Sequence, residues 1–282
     1  QPLEGFTYGS VNAPTGKEWE SPENLALNKE QPHAYFFPFQ HLDNARKVLP
    51  ENSKYWQSLD GDWKFHWAPD PDSRPKDFYQ TEYDVSSWDA IPVPSSWNIY
   101  GIQKDGSQKY GTPIYVNQPV IFQHSVKVDD WRGGVMRTPP ANWTTYKDRN
   151  EVGSFRRDFE IPQDWDGREV FISFDGVDSF FYLWINGQYV GFSKNSRNTA
   201  NFNITPYLQK GKNTVAAEVY RSSDGSFLEA QDMFRLPGIF RTVALYSVPK
   251  VHFRDLVATP DLDVTYTDGS LTVNAEIRNL DK

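Results

Sequence analysis

The sequence predicts an all-β protein: a β-sandwich of jelly-roll type followed by the beginning of a second sandwich. Strand-like segments recur at intervals of roughly 8–12 residues, with turn residues between them. Helical periodicity is nearly absent. Aromatic residues make up 16% of the 282 residues, which provides enough ring surface for a sizeable core and for a ligand that stacks on rings.

The central hairpin gives the clearest strand signals. Residues 170–174 have the spacing of a strand, and residues 179–185 are apolar on both faces, which predicts a strand covered on both sides. Asn186-Gly187 favours a type I′ turn because both residues tolerate positive φ. A return strand at 188–192 then leads into a polar loop at 193–201. A rigid hairpin that holds a polar loop is a common way to present a binding surface.

The remaining patterns divide the chain into three parts. Residues 1–50, rich in Pro, Asn and Glu, are predicted to be an extended arm over a core, with helix only near 42–48. Residues 51–249 are predicted to form the jelly roll, with its long connection at 122–150 either functional or disordered. Residues 250–282 contain two strands, too few to be stable alone. We therefore expect them to be the truncated start of a second sandwich and the chain to be a fragment.

Several strands are predicted outside the central hairpin. Pro92 and Pro94 restrict their segment to the edge of a sheet, because proline cannot donate to a strand ladder. The others are predicted at 63–67, 110–117, 155–161, 202–204, 213–221, 239–247, 251–258 and 271–277.

Composition excludes several classes of function. The net charge is −8 with both signs interspersed, so no basic stripe is available for nucleic acid. No apolar run reaches about 18 residues, so no membrane span is predicted. The absence of cysteine removes disulfides and thiol chemistry. The chain begins with Gln1 rather than Met, which favours a processed periplasmic or secreted protein, with a trimmed cytoplasmic protein as the alternative.

The densest polar cluster lies at residues 222–241. Glu229 and Asp232 suggest paired carboxylates, as used in glycoside hydrolysis. Arg235 and Arg241 lie close by in sequence, so we favour a salt-linked structural loop over a catalytic site. No catalytic residue is predicted in this chain.

No metal site is predicted either. The five histidines are scattered without ligand spacing. Asp70 with Asp72, and Asp261 with Asp263, are interpreted as surface acid pairs rather than calcium sites. The stretch Lys194–Asn198 carries amide and hydroxyl groups that suit sugar hydroxyls, with an ordinary solvated loop as the alternative.

Nine short motifs, in this order, resemble the N-terminal part of the glycoside hydrolase family 2 β-galactosidases. They extend over nearly the whole chain, and together they are far more specific than any one alone. They are Trp19-Glu20-x-Pro22-Glu23, Leu59-Asp60-Gly61-x-Trp63-x-Phe65, Ile91-x-Val93-Pro94-x-x-Trp97, Pro113-Ile114-Tyr115-x-Asn117, Gly153-x-Phe155-Arg156-Arg157-x-Phe159, Phe174-Asp175-Gly176-Val177-x-Ser179, Asn186-Gly187, Ser223-Asp224-Gly225-Ser226-x-Leu228-Glu229-x-Gln231-Asp232-Met233-x-Arg235 and Gly238-Ile239-x-Arg241.

The resemblance implies a jelly-roll sugar-binding domain followed by an immunoglobulin-like sandwich, truncated here. In such enzymes a later (β/α)₈ barrel carries the two catalytic glutamates of a retaining mechanism. Neither barrel signature occurs in these 282 residues. The resemblance also implies galactoside oligosaccharides and the enzyme's own barrel as partners, and allows a homo-oligomer of the full-length protein. We expect the face bearing Glu229, Asp232, Arg235 and Arg241 to pack on that barrel.

The resemblance further implies that jelly-roll loops complete the galactose pocket. The family's loop reads Asp-Ser-Arg, with its aspartate at a sodium and sugar-hydroxyl site, whereas this chain has Asn195 before Ser196 and Arg197. An amide can bond a hydroxyl but brings no charge to a cation. We therefore predict substrate contact by Asn195 and Arg197, assign sodium or magnesium only to the full-length enzyme, and expect no calcium.

A second family contact is an asparagine before a Pro-Pro pair. We match that pair to Pro139-Pro140, which Arg137 and Thr138 precede. Thr138 is therefore the third predicted substrate contact, in place of the family's asparagine.

Three functional hypotheses follow. The leading one is the non-catalytic N-terminal part of a retaining β-galactosidase, inactive alone. The alternative is a stand-alone, lectin-like carbohydrate-binding module, which would bind sugar by itself. The third is a structural module without sugar contact.

Overall fold

The computed structural model describes residues 13–116, 150–229 and 232–281. Its helices are short: α1 (Leu42–Ala45), α2 (Trp97–Tyr100) and five 3₁₀ turns (Glu18–Glu20, Pro50–Asn52, Gln163–Trp165, Thr205–Tyr207 and Asp224–Phe227). The strands are β1 (Ala26–Leu27), β2 (Trp56–Ser58), β3 (Gly61–Ala68), β4 (Asp89–Val93), β5 (Ile114–Val116), β6 (Val152–Glu160), β7 (Glu169–Phe174), β8 (Val177–Asp178), β9 (Phe180–Ile185), β10 (Gln188–Lys194), β11 (Ala200–Asn203), β12 (Lys212–Tyr220), β13 (Met233–Arg235), β14 (Gly238–Ile239), β15 (Val243–Val248), β16 (Val251–Leu262) and β17 (Gly269–Asn279).

Two antiparallel sheets form the sandwich. The larger has the order β1-β10-β9-β12-β6-β3-β4, and the smaller has the order β11-β7-β15-β2. Strand β4, which contains Pro92, lies at the edge of the larger sheet as predicted. The predicted β-sandwich fold is therefore confirmed. Within the described ranges no helix has the length and apolar character that a membrane span needs.

Strand β9 is buried on both faces, as its sequence predicts. Phe181, Leu183 and Ile185 point into the main core, where they meet apolar residues of the smaller sheet. Phe180, Tyr182 and Trp184 belong to a second cluster on the outer face. That outer cluster is covered by segments from outside the sheet, among which Trp19 of the arm and Phe78 are buried.

The turn of the central hairpin (β9 and β10) has the predicted geometry. Asn186 and Gly187 have φ values of +51° and +77°, so both occupy the left-handed region that a type I′ turn requires. The Asn186 side chain also donates to the carbonyl of Tyr207 and to the side chain of Asn213. The turn is therefore fixed to the neighbouring loop as well as by its own backbone.

The structure differs from the sequence-based expectation at several places. Strands β1, β2 and β13 were not predicted, and of the segment predicted at 110–117 only Ile114–Val116 is a strand. The helix near residues 42–48 ends at Ala45. The single strand at 239–247 is divided into β14 and β15. The polar loop at 193–201 is shorter than predicted, because pairing of β10 continues to Lys194 and β11 begins at Ala200. Hydrogen bonding to neighbouring strands extends β10 two residues beyond Phe192 and begins β11 two residues before Phe202.

Strands β16 and β17 form a two-stranded ribbon after the sandwich. The arm fastens this ribbon to the jelly roll. Buried Glu30 lies 2.9 Å from the guanidinium of Arg278, and the Arg254 guanidinium donates to the carbonyl of Gln31 at 2.6 Å. Asp255 accepts from the amide of Ala34 at 2.8 Å. The arm thus contacts both parts of the chain.

Candidate sugar-binding site

The candidate site is the loop 195–199, which we call the Asn195 loop, between β10 and β11. Asn195 has φ +77°, a conformation that asparagine tolerates better than most residues. It is exposed between two buried neighbours, Lys194 and Ser196. No other described residue is bonded to its side chain. The Asn195 amide is therefore presented to solvent with its hydrogen-bonding capacity available.

Glu229 fixes the backbone directly after Asn195. The amide of Ser196 donates to Oε1 of Glu229 at 2.7 Å, and the Ser196 hydroxyl donates to Oε2 at 2.6 Å. Hydrogen bonds to a carboxylate are about twice as strong as those between neutral groups. The buried Ser196 therefore anchors the loop while its neighbours on either side remain exposed.

Arg197 lies at the open side of the loop, with its side chain partly exposed. Its guanidinium is 3.6 Å from a carboxylate oxygen of Asp178 and donates to the sulfur of Met233 at 3.3 Å. The Arg197 carbonyl accepts from the Arg241 guanidinium at 2.8 Å. Both guanidinium groups lie against the ring of Phe240, at 4.8 and 5.2 Å from its centroid. Arg241 thus fixes the Arg197 backbone and leaves the Arg197 side chain partly accessible.

Asp178 is the buried carboxyl of the site. Burial raises its pKa to about 6, the nearby Glu229 charge adds to the rise, and Arg197 opposes it. Its side chain also accepts a long hydrogen bond from the Ser196 hydroxyl, at 3.4 Å. The carboxyl group with this raised pKa therefore lies in contact with Ser196 of the Asn195 loop.

Of the four predicted packing residues, Glu229 and Arg241 contact the same loop, and Arg235 contacts Glu229. Glu229 binds Ser196, whereas Asp232 is exposed and accepts from the Tyr115 hydroxyl at 2.7 Å. Glu229 and Asp232 thus have different partners. The guanidinium of Arg235 donates to the backbone carbonyl of Glu229. Of the three predicted substrate contacts, Asn195 and Arg197 lie together here, and Thr138 lies outside the described residues.

Sequence reasoning missed Asp178 as a site residue, and it missed the buried, supporting role of Lys194, which it placed in the candidate stretch 194–198. Asp178 lies in β8, in the turn region before a hydrophobic strand, and Lys194 lies in a polar run that reads as solvated loop. Continuation of the β10 pairing buries Lys194, whose ammonium contacts Asp224 at 2.8 Å. Burial lowers the pKa of Lys194, which Asp224 partly offsets. No local sequence signal distinguishes it from an exposed lysine.

At this loop the described residues offer a sodium ion no carboxylate that is not already paired. The family's aspartate is replaced by the neutral Asn195, and the nearby carboxylates of Asp178 and Glu229 contact Arg197 and Ser196. Across 13–116, 150–229 and 232–281, no group of three or more His, Cys, Asp or Glu residues is arranged to hold a metal.

A family model described as the sugar binding domain of glycosyl hydrolases family 2 matches residues 56–249. The chain belongs to glycosyl hydrolase family 2. The matched region contains both sheets of the sandwich, except the arm strand β1, together with the complete Asn195 loop. The family membership inferred from the nine motifs is therefore confirmed.

Curated relatives of this glycosyl hydrolase family 2 chain include three β-galactosidases. The β-galactosidase of Priestia megaterium is 42% identical over 93% of this chain, which covers 24% of that protein. That of Halalkalibacterium halodurans is 38% identical over 90% of the chain and 23% of the protein. That of Yersinia enterocolitica is 36% identical over 93% of the chain and 22% of the protein. The chain thus spans about a quarter of the length of these relatives.

Solved structures of more distant relatives share the fold. A Bacteroides uniformis β-glucuronidase has a TM-score of 0.57 at 22% identity, over 79% of this chain and 22% of that chain. A β-glycosidase from Bacteroides vulgatus has a TM-score of 0.55 at 23% identity, over 79% and 24%. At this identity the likeness concerns the fold alone.

Proposed function

We propose that this chain is the N-terminal, non-catalytic part of a retaining β-galactosidase that hydrolyses terminal β-galactosides. The observation that supports this most is the exposed, left-handed Asn195 on a loop fixed by Glu229 and Arg241. The β-galactosidases to which the chain is 36–42% identical are about four times as long. The reacting groups would then lie in a (β/α)₈ barrel outside this sequence.

The loop's chemistry is hydrogen bonding rather than bond breaking. The Asn195 amide offers one acceptor and two donors, which suits a sugar hydroxyl that both donates and accepts. The Arg197 guanidinium offers further donors at the partly exposed edge of the loop. Because Glu229 holds Ser196 in place, the side chains of Asn195 and Arg197 would be positioned before a sugar binds. Little conformational entropy would then be lost on binding. The Asn195 loop would form one wall of the galactose pocket.

The barrel would contact the face that carries Glu229, Asp232, Arg235 and Arg241. Tyr115 and Phe234 on this face are 51% and 57% exposed, and their rings are 5.0 Å apart. Exposed aromatic area of this kind is typical of surfaces that become buried in an assembly. Galactoside oligosaccharides and a homo-oligomer of the full-length protein belong to the same proposal.

The test compares three proteins on a chromogenic β-galactoside: this chain, the full-length protein and its Asn195→Ala variant. We expect no turnover by the chain. We expect the variant to raise KM about three- to tenfold, the value of one hydrogen bond. Asn274→Ala, at an exposed ribbon position, is the matched control and should leave both kinetic constants unchanged.

Each competing function predicts a different result. Turnover by the chain near the full-length rate would contradict the placement of the chemistry outside it. Calorimetric affinity of the chain alone for galactose or lactose, comparable with that of the full-length protein, would favour a carbohydrate-binding module. Unchanged kinetic constants in Asn195→Ala would favour a purely structural domain.

A further inference from the structure

The two ends of the Asn195 loop belong to different layers of the sandwich. Strand β10 before it lies in the larger sheet, and β11 after it lies in the smaller sheet. The loop therefore crosses from one layer to the other, and its shape depends on how its two ends are held. Within the described residues, the arm contacts both ends.

The first end is held by β1 of the arm. Ala26 and Leu27 pair with Ser193 and Phe192, and the amide of Lys194 donates to the carbonyl of Leu25 at 3.1 Å. These pairs directly precede Asn195. The arm is thus the edge strand of the larger sheet beside the loop.

The second end is held three residues further along the arm. The amide of Glu30 donates to the carbonyl of Asn201 at 2.8 Å. Asn201 is the second residue of β11, directly after the loop. Between the two contacts, Asn28 has φ +55°, and its side chain donates to the carbonyl of Val190 at 2.7 Å. Val190 is the extra residue at the irregularity in β10. The arm therefore crosses between the layers alongside the loop.

The approach of the arm to β10 is very close at Gly191. A Cβ placed there would lie 2.1 Å from the carbonyl oxygen of Leu27. Real Cβ atoms do not approach backbone oxygens so closely, so glycine is needed for the arm to lie on this edge. A methyl group at position 191 is therefore expected to displace the arm without changing any residue of the loop.

Lys194 joins the arm to the other support of the loop. Its ammonium donates to the carbonyl of Ser21 at 2.6 Å and contacts the carboxylate of Asp224 at 2.8 Å, and its side chain is only 3% exposed. Asp224 begins the 3₁₀ turn after which Glu229 binds Ser196. One buried cation thus connects β10, the arm and the segment that fixes the loop.

We propose that arm residues 21–30 are a positioning element for the Asn195 loop and thereby set the affinity of the site for a galactoside. This role requires no contact between the arm residues and the sugar. The arm residues act through Phe192–Lys194 on one side and Asn201 on the other. The affinity component of this inference rests on the proposed function, whereas the loop component does not.

The experiment uses the full-length protein with Gly191→Ala, which displaces the arm, and Lys194→Met, which removes the ammonium. Hydrogen exchange should accelerate about tenfold at residues 195–199 in both. KM for a chromogenic β-galactoside should rise about three- to tenfold with kcat unchanged, as for lost ground-state binding. Lys194→Arg, which retains the charge, should recover most of the affinity. Thermal unfolding identifies any variant that fails to fold.

Two matched controls distinguish positioning from general destabilisation. Gly269→Ala places a methyl group at an ordinary 3.7 Å contact, and Lys212→Met removes an exposed ammonium that pairs with Asp158. Both should leave loop exchange and KM unchanged.

Unaltered exchange at 195–199 in Gly191→Ala and Lys194→Met would overturn the positioning role. Faster exchange with unchanged KM would overturn the affinity role, provided that Asn195→Ala raises KM in parallel. If Asn195→Ala also leaves KM unchanged, the proposed function itself is wrong. In that case the hydrogen-exchange data still test whether the arm positions the loop, but the affinity role is lost with the proposed function.

Discussion

The carboxylate of Glu229 binds Ser196 through both of its oxygens, at 2.7 Å from the amide and 2.6 Å from the hydroxyl. The two residues are 33 positions apart in sequence. This contact joins the loop after the central hairpin to the acidic segment that sequence reasoning considers for catalysis. It assigns Glu229 a different role, the fixing of the Asn195 loop.

Glu229→Gln should destabilise the loop. A glutamine offers one oxygen acceptor where the carboxylate offers two, so one of the two bonds to Ser196 is weakened or lost. We expect the free energy of unfolding of the chain to fall by about 1–2 kcal/mol in urea titrations. Glu160→Gln, at an exposed position of β6, is the control. Equal stability of the two variants would show that the Ser196 contact contributes nothing.

Asp178 should make stability depend on pH. Because its pKa is raised from 3.8 to about 6 in the folded protein, the folded state binds the proton more tightly than the unfolded state does. The free energy of unfolding contributed by this group therefore falls as pH rises from about 4 to about 6, by up to about 3 kcal/mol.

The Asp178→Asn variant lacks this titration and should gain stability relative to the parent protein over the same pH range. Urea unfolding of both proteins at pH 4 and pH 7 measures the difference. A difference that is the same at both pH values would contradict the raised pKa.

Glu151→Gln should be severely destabilising. Glu151 contacts the guanidinium of Arg221 at 2.7 Å and accepts from the Trp97 indole at 2.9 Å, with all three side chains buried. Neutralising the acid leaves the Arg221 charge buried without its counter-ion, at a cost of about 3–5 kcal/mol. Chemical denaturation measures it.

The control for Glu151→Gln is Asp158→Asn. Asp158 pairs with Lys212 at 2.7 Å, but the lysine side chain is 68% exposed. Such a pair contributes at most about 1 kcal/mol. If Glu151→Gln lowers the free energy of unfolding no more than Asp158→Asn does, the buried pair is not important for stability.

Gly187→Ala should destabilise the central hairpin by about 1 kcal/mol in denaturant titrations. The added Cβ has space, since the nearest atoms lie 3.8–3.9 Å away, so the cost comes from φ +77° alone. Gly269→Ala, at a position without positive φ, should be nearly neutral. An equal effect at both positions would exclude backbone strain as the cause.

Glu30→Gln should loosen the ribbon but not the jelly roll. The buried Glu30 carboxylate lies 2.9 Å from the guanidinium of Arg278 in β17. Losing this charged contact should lower the free energy of local opening by about 1–2 kcal/mol. Hydrogen exchange should then accelerate in β16 and β17 and stay unchanged in β9.

The control for Glu30→Gln is Asp281→Asn, which removes an exposed pair with Lys250 at 3.3 Å. Accelerated exchange in β9 would show that Glu30 supports the sandwich as a whole. Unchanged exchange in the ribbon would show that the arm does not fasten it through this pair.

The sequence alone determined the features that depend on neighbouring residues. Asn186-Gly187 predicted the turn because positive φ is a local property of those two residues. Residues 180–185 predicted a strand buried on both sides, because side chains in a strand alternate between its two faces and both faces are apolar here. Pro92 predicted an edge strand, because proline has no amide hydrogen to donate to a neighbouring strand. The ordered motifs predicted the family.

Only the tertiary structure decided how the Asn195 loop is held. The sequence places Lys194 in a candidate sugar-binding stretch, with a solvated loop as the alternative, and it places Glu229 in a salt-linked loop without naming its partner. The partners of both residues lie in segments distant in sequence. Lys194 contacts Ser21 of the arm and Asp224 of the 3₁₀ turn, and Glu229 binds Ser196. The burial of a charge depends on which segments pack around it, and no local pattern records that packing.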